Sequence, residues 1–339
     1  MIQHKIISWY LKNKRDLPWR NTTNPYFIWL SEIILQQTRV AQGLPYYEKF
    51  IEKYPKIEDL ANSEEDEVLR LWQGLGYYSR GRNLHGTAKT IVNQYKSIFP
   101  DRFSELLKLK GVGNYTAAAI ASFAFKEAVP AIDGNAIRVI SRIFKIDSPS
   151  DSPATLKQIY EYSEALIAEC EPDLYNQAIM EMGATLCTPK KPSCEICPVQ
   201  TECLSFPEKD YERIPYKAKR TKVTDREIHY LVLQNEENVF MKQRTDADIW
   251  QNLYDFPEFS PDSLSENINL LNPLETEEFP AVTHLLSHRR LKVHFVRALI
   301  QGQDVDIKDG NWYSLEEAEK LPKPKVIDDF LKKIRFSPS

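Results

Sequence analysis

Cys187, Cys194, Cys197 and Cys203 follow the spacing C-x6-C-x2-C-x5-C, which gathers four sulfurs into one short loop. Four thiolates so arranged suit a [4Fe–4S] cluster. Zinc competes for four thiolates, but its structural sites more often use two close pairs, and only Cys194 and Cys197 form one, so the spacing favours iron–sulfur. All five cysteines crowd into residues 170–203 of a chain without a secretory pattern, where thiols stay reduced, which points to a metal before disulfides. The fifth, Cys170, lies in the apolar run ALIAEC and is expected to be a small buried side chain.

A second constellation lies upstream. Residues 107–123 read LKLKGVGNYTAAAIASF, with Gly111 and Gly113 between a short helical segment and an alanine-rich helix. Glycines there permit positive φ and close backbone approach, and Gly111, Val112 and Gly113 with the following helix start would make an anion site suited to a DNA phosphate. By themselves the glycines fit an ordinary helix–helix turn better. The run AIDGNAIRVISR at 131–142 then places Asp133 before a glycine and a new helix, where it is first of all a good N-cap. Capping does not preclude catalysis.

Together the hairpin, Asp133 and the cysteine spacing resemble the endonuclease III, or helix-hairpin-helix, superfamily of DNA glycosylases. The stretches LPWR (17–20), SEIILQQTRV (31–40), WQGLGYYSRGRNLH (72–85) and NQAIMEMGATLC (176–187) narrow this to the MutY-type adenine glycosylases, over roughly residues 5–335. The resemblance implies excision of adenine mispaired with 8-oxoguanine or guanine. Lyase-competent relatives carry a lysine after the hairpin, whereas Tyr115 stands here and removes the amine nucleophile of a Schiff-base route.

Adenine leaves only when its ring is protonated, and the sugar passes through an oxocarbenium-like state that needs an anion nearby. The resemblance implies that Glu32 supplies the proton and later activates water, and that Asp133 stabilises the sugar cation, with a transient covalent bond in a retaining double displacement. Asn135 and Tyr115 would support these two. Glu32 lies beside Ile28 and Leu35, which predicts partial burial favouring a protonated carboxyl, although a glutamate in a helix is ordinarily just a surface residue. The target adenine must leave the duplex, and the resemblance implies a pocket of Trp19, Arg20 and Glu181. It also implies DNA contacts at Thr38, and wedges at Gln37 and Tyr77, although paired tyrosines such as Tyr77 and Tyr78 are often mere packing aromatics.

Residues 226–258, including RTDADIWQNLYDFPEF, resemble the Nudix-like domain of MutY enzymes, without the acidic box that binds magnesium in Nudix hydrolases. The domain is expected to recognise and not react. Where the family reads 8-oxoguanine through Phe-Ser-His, this chain offers Leu286, Ser287 and His288, so aromatic contact weakens while the serine and histidine stay. His284, His288 and His294 are read as solvated or hydrogen-bonding side chains, with no metal assigned.

These groups need elements to hold them. From Met1 to about Cys203 apolar residues recur at helical spacing, broken at Pro25, Pro45, Pro55, Pro100, Pro130 and Pro149, and predict a string of short helices with no strand. Asn24 as N-cap and Pro25 at the first position begin the helix that carries Glu32. Residues 204–222 have prolines, charges and no apolar period, and predict a linker. Beyond it Ile228, Tyr230 and Val232 alternate, Asn235–Asn238 turns back into Val239–Met241, and Leu291, Val293 and Phe295 alternate again. Ser314 and Glu317 form a capping box, and Val326, Ile327, Phe330, Leu331 and Ile334 make one helical apolar face. The expected architecture is therefore multidomain: an all-α helix-hairpin-helix domain with a cluster loop at 1–203, a linker at 204–222, and an α+β Nudix-like domain at 223–339.

At 339 residues two domains are the ordinary expectation. No apolar run is long enough to span a bilayer and no signal peptide is visible, so a cytoplasmic, monomeric protein with double-stranded DNA as its partner is expected. The net charge of −4 divides into +2 over residues 1–220 and −6 over the rest, an asymmetry too mild to identify a DNA protein. Two other readings compete. An endonuclease III-like lyase for oxidised pyrimidines shares the hairpin and cluster but needs an amine at position 115. A non-catalytic DNA-binding or redox-sensing iron–sulfur protein would make both carboxylates mere caps.

Overall fold

A computed structural model describes residues 1–218, 223–235, 238–260, 271–286, 289–302, 307 and 309–335. Two compact units result, the first of Met1–Ala61 and Gly86–Arg220, the second of Asn62–His85 and Thr221–Ser339. The units are discontinuous in sequence, which separates them from the contiguous partition at 203 expected above. Within the described residues no helix is long and apolar enough to cross a membrane.

The helices are α1 (Ile2–Asn13), α2 (Pro25–Ile34), α3 (Val40–Lys53), α4 (Ile57–Asn62), α5 (Glu65–Trp72), α6 (Tyr78–Tyr95), α7 (Phe103–Leu106), α8 (Asn114–Phe125), α9 (Gly134–Ile143), α10 (Pro153–Ile167) and α11 (Pro172–Thr185). Asn24 caps α2 by accepting from the Tyr26 N–H at 3.0 Å, with Pro25 following. Pro45 does not break a helix; it sits inside α3. Helix α2 is buried nearly all round, from Tyr26 through Ile34 apart from Phe27, because it lies within the first unit against α8, whose Ala117, Ala118, Ala119 and Ala121 admit close approach. A second core joins α1, α9, α10 and α11 through Ile6, Tyr10, Val139, Ile140, Ile159, Ile179 and Met182. Each such aliphatic residue contributes about 1.5–3 kcal/mol by leaving water.

The segment expected to be a linker is tied to the first unit as far as it is described. Leu204 N–H donates to Ile143 O (2.9 Å), the Arg142 guanidinium donates to Ile214 O (2.8 Å), Ser150 N–H donates to Tyr216 O (2.8 Å), and Arg213 makes a two-armed ion pair with Asp147. Charge and proline content gave the impression of a solvated chain, whereas these residues supply partners for groups of α9 and the turn after it.

In the second unit β1 (Thr224–Asn235), β2 (Asn238–Gln243), β3 (Tyr254–Asp255), β4 (Glu275–Leu285), β5 (Arg289–Leu299) and β6 (Gly310–Ser314) form one mixed sheet in the order β3-β2-β1-β5-β4, with β6 on β2. The expected turn pairs Asn235 with Asn238, and the central pair β1–β5 is parallel, with Tyr230 opposite Phe295. Helices α12 (Leu315–Lys320) and α13 (Lys325–Arg335) close the chain, the first with the expected Ser314–Glu317 capping box. Helix α5 belongs to this unit: Glu65 accepts from Asn252 Nδ2 (2.6 Å) and Arg70 donates to Lys320 O (2.9 Å).

Candidate active site

A cavity of about 770 Å³ opens in the first unit between α2, α8, the start of α9 and α11. It brings together nine residues singled out from the sequence: Trp19, Arg20, Glu32, Gln37, Thr38, Tyr115, Asp133, Asn135 and Glu181. Glu32 is only 6% exposed, more deeply set than expected, because α2 is buried on every side. Burial pushes its carboxyl up to about 7; a hydrogen bond with Tyr115 opposes this, the Asp133 charge adds to it, and Arg20 opposes it. The Tyr115 phenol is held well above its ordinary range by burial and then by the charges of Glu32 and Asp133, so it stays a neutral donor.

Asp133 is the N-cap of α9, and capping occupies one oxygen: Oδ1 accepts from Ala136 N–H at 2.7 Å, while Oδ2 accepts from Asn135 Nδ2 at 2.7 Å. Burial raises its carboxyl as well, with these donors and Arg138 pulling it down. Asn135 is itself oriented, since its Oδ1 accepts from Arg138 (2.7 Å), and Arg138 donates further to Gly183 O (2.7 Å) and Cys187 O (2.8 Å). A hydrogen-bonded path therefore runs from Asp133 to the backbone of the first cluster cysteine.

Glu181 is buried completely yet ionised. Burial would raise its carboxyl, but hydrogen bonds from Arg15 and Arg20 hold it at about 2. Arg15 donates from its backbone N–H (3.0 Å), Nε (2.8 Å) and terminal nitrogen (2.6 Å), and Arg20 adds a bond at 2.6 Å. Arg15 escaped the sequence reading: it lies two residues before LPWR, and its partner stands 166 positions away. The Trp19 ring packs edge-on to Tyr47 at 5.2 Å.

At the hairpin, Leu109 and Val112 are buried and Gly111 has φ +79°, as the turn requires. Gly113 has φ −90°, so the expectation of positive φ fails there; a Cβ at Gly113 would meet nothing, and its lack of a side chain leaves the first amides of α8 open. Exposed Gln37 and, in the second unit, Tyr77 both have left-handed backbones, φ +56° and +48°, a strain more frequent at functional positions.

The four spaced cysteines line one apolar hollow with Val139, Ile143, Met182, Leu186 and Val199. Arg142 donates to the Cys187 sulfur at 3.3 Å. Burial pushes the Cys197 thiol up to about 12 and raises Cys194 and Cys203 too, so deprotonation in this hollow needs a bound cation. Four sulfurs in one hollow, an apolar wall and N–H donors to sulfur from Arg142 and from the backbone of Val199, Ser205 and Phe206 fit an iron–sulfur cluster. Cys170 is only partly buried against the α1–α11 core, less enclosed than expected.

The chain matches the family described as HhH-GPD superfamily base excision DNA repair protein over residues 30–171, the iron–sulfur binding domain of endonuclease III over 187–203 and the NUDIX domain over 229–333. The adenine DNA glycosylase of Buchnera aphidicola (subsp. Acyrthosiphon pisum, strain APS) is 33% identical over 342 residues, covering 97% of each chain. This chain belongs to the adenine DNA glycosylase family. The human adenine DNA glycosylase is 43% identical over 208 residues, 58% of this chain and 38% of its own. Among solved structures, a thermostable thymine-DNA glycosylase superposes with a TM-score of 0.56 at 30% identity, covering 61% of this chain and 95% of its own. A trapped endonuclease III–DNA covalent intermediate shares the fold, with a TM-score of 0.53 at 21% identity over the same shares.

As an adenine DNA glycosylase the chain is a DNA-binding enzyme of base excision repair, and Cys187, Cys194, Cys197 and Cys203 are the residues that would hold its [4Fe–4S] cluster. When bound, such a cluster would tie the loop 187–203 to α9 and α11, whose Val139, Ile143 and Met182 line the same hollow. The glycosylase's second unit has a cavity of about 520 Å³ that Tyr77 shares with Trp250, His284, Leu285 and Leu286. Ser287 and His288 lie outside the described residues.

Proposed function

We propose that this adenine DNA glycosylase acts on adenine opposite 8-oxoguanine or guanine, by hydrolysing the N-glycosidic bond of a nucleotide flipped into the cavity of Glu32 and Asp133. The observation that carries the reading is that these two carboxyls line one cavity under different constraints. Glu32, buried and raised to about 7, keeps a proton near neutral pH. Asp133 is held by two donors that favour its anion.

Glu32 gives its proton to the adenine ring, and the ring departs as a neutral base. Asp133 faces the developing sugar cation, and in the retaining course its free lone pair forms a transient bond to the sugar carbon, which water then breaks with Glu32 as base. Tyr115 holds the Glu32 carboxyl by hydrogen bond and brings no amine, so the strand is not cut by a Schiff base. Asn135 orients Asp133. Trp19 offers the purine a flat wall, and Arg20 with the ionised Glu181 offers it hydrogen-bonding edges.

The amides around Gly111, Val112 and Gly113 take a phosphate, with Thr38 contacting the DNA, while Gln37 and Tyr77 fill the stack that the adenine leaves. The Nudix-like domain, residues 223–339, reads the opposite base through Leu286, Ser287 and His288. Its support is the cavity that Leu286 and Tyr77 share. The protein acts as a monomer on one lesion.

Single-turnover excision on duplexes carrying adenine opposite 8-oxoguanine, guanine or thymine tests this. The expected order is 8-oxoguanine and guanine over thymine, with Glu32→Gln and Asp133→Asn each slower by at least about 10²-fold. Equal rates for all three duplexes would remove the mispair reading, and undiminished excision by Glu32→Gln would remove the acid. Borohydride trapping as strong as that of a lyase would favour the oxidised-pyrimidine alternative.

A further inference from the structure

The C-terminal sheet carries a polar cluster that excision does not use. Strands β1 and β5 run parallel with Glu227 beside Lys292 and His229 beside His294. Alternation puts these four side chains on one face, opposite Ile228, Tyr230, Val293 and Phe295, which are buried. The two imidazoles lie face to face, centroids 4.3 Å apart and planes within 8°.

The Glu227 carboxylate is divided between two tasks. Its Oε1 accepts from Lys292 Nζ at 3.2 Å, and its Oε2 stands 3.7 Å from Nε2 of His229 and 3.7 Å from Nε2 of His294. The His294 Nε2 is buried and has no hydrogen-bond partner among the described residues. One ligand atom from each of the three residues lies within 4.8 Å of the others.

We propose that Glu227, His229 and His294 form a site for a transition-metal dication of the zinc or copper type, with water completing its coordination. Two imidazoles and one carboxylate form a donor set that favours these ions over magnesium or calcium, which prefer all-oxygen shells. Metal–ligand bonds of about 2.0–2.2 Å require ligand atoms about 3.3–3.5 Å apart. The carboxylate is close to that spacing from both rings, and the imidazoles, 18% and 28% exposed, need only turn about their side-chain torsions to converge. The ion would tie together two strands that meet 65 positions apart in sequence, so its binding should stabilise the C-terminal unit.

The test uses the full-length, iron-replete protein titrated with Cu²⁺ or Zn²⁺, with iron content followed throughout. One equivalent of Cu²⁺ showing nitrogen hyperfine structure in its electron paramagnetic resonance spectrum is expected, displaceable by Zn²⁺ and indifferent to Mg²⁺. Loss of a ligand in His229→Ala, His294→Ala or Glu227→Gln should weaken binding at least about tenfold, by analogy with the loss of supporting groups around metal sites. Lys292→Ala, which frees the second carboxylate oxygen and removes a positive charge, should tighten it, a gain that misfolding would not produce. Zn²⁺ should raise the melting temperature of the wild type and leave that of His294→Ala unchanged. The proposal is overturned by no bound equivalent, by binding that survives in the double histidine variant, or by metal uptake matched by iron loss from the cysteine loop.

Discussion

In the proposed reaction Glu32 couples catalysis to stability through one proton. Its carboxyl, raised by burial to about 7, must be protonated to release adenine, so the single-turnover rate should fall as pH rises through about 7. On the acid side the rate should fall as Asp133, also raised by burial, takes up a proton. A rate–pH profile checks both limbs, and one flat across pH 6–8 would contradict the assignment of Glu32. Because the folded state binds this proton more tightly than the unfolded chain, stability falls as pH rises from the ordinary 4.5 toward 7 and stays lower above it. Glu32→Gln removes that penalty and should stabilise the protein at pH 8 by at most about 3 kcal/mol, with little effect near pH 4.5, as thermal unfolding at the two pH values would reveal. Arg15 belongs to the same scale. Arg15→Ala removes two of the four bonds to buried Glu181 while its backbone N–H bond stays, and should cost both stability and adenine affinity, read as a higher half-saturation for substrate and a raised Glu181 carboxyl.

Between elements, the contact of α11 with α9 sets the active site. A Cβ at Gly183 would lie 2.5 Å from the Asn135 Cβ and 3.0 Å from its Cα, so Gly183→Ala must displace Asn135 and loosen its bond to Asp133. Overpacking of this kind costs about 1–3 kcal/mol. The expected result is a lower single-turnover rate with DNA affinity retained; an unchanged rate would mean that Asn135 does not orient Asp133. At the hairpin, Gly111→Ala imposes a left-handed backbone on an alanine and costs about 1–2 kcal/mol. It should weaken duplex binding, measured by filter or anisotropy titration, with the rate at saturation preserved. The helices that carry these contacts were legible beforehand: Asn24 and Pro25 announce α2, Asp133 announces α9, and the Ser314–Glu317 pair announces α12. Their caps are local, made between residues two or three apart.

At the scale of the molecule, the cluster loop and the active site are parts of one hydrogen-bonded assembly, since Arg138 bonds both Asn135 and Cys187 O. Removal of iron should free the loop 187–203 to proteolysis and slow excision in proportion to iron lost, checked by metal content against rate; full activity in iron-free protein would break that link. The sequence by itself determined that residues 1–203 are built of short helices and that four cysteines are spaced as sulfur ligands, because motif spacing and capping are properties of neighbours along the chain; the pairing of Glu32 with Asp133 and the missing amine at position 115 were implied by the family resemblance. Only the tertiary structure decided that Glu32 is all but buried, that Arg15 reaches Glu181, that β1 lies parallel to β5, and that Asn62–His85 joins the C-terminal unit. Each of these depends on residues distant in sequence coming into contact, and burial and charge pairing acquire their magnitudes only when the packed chain excludes water around them.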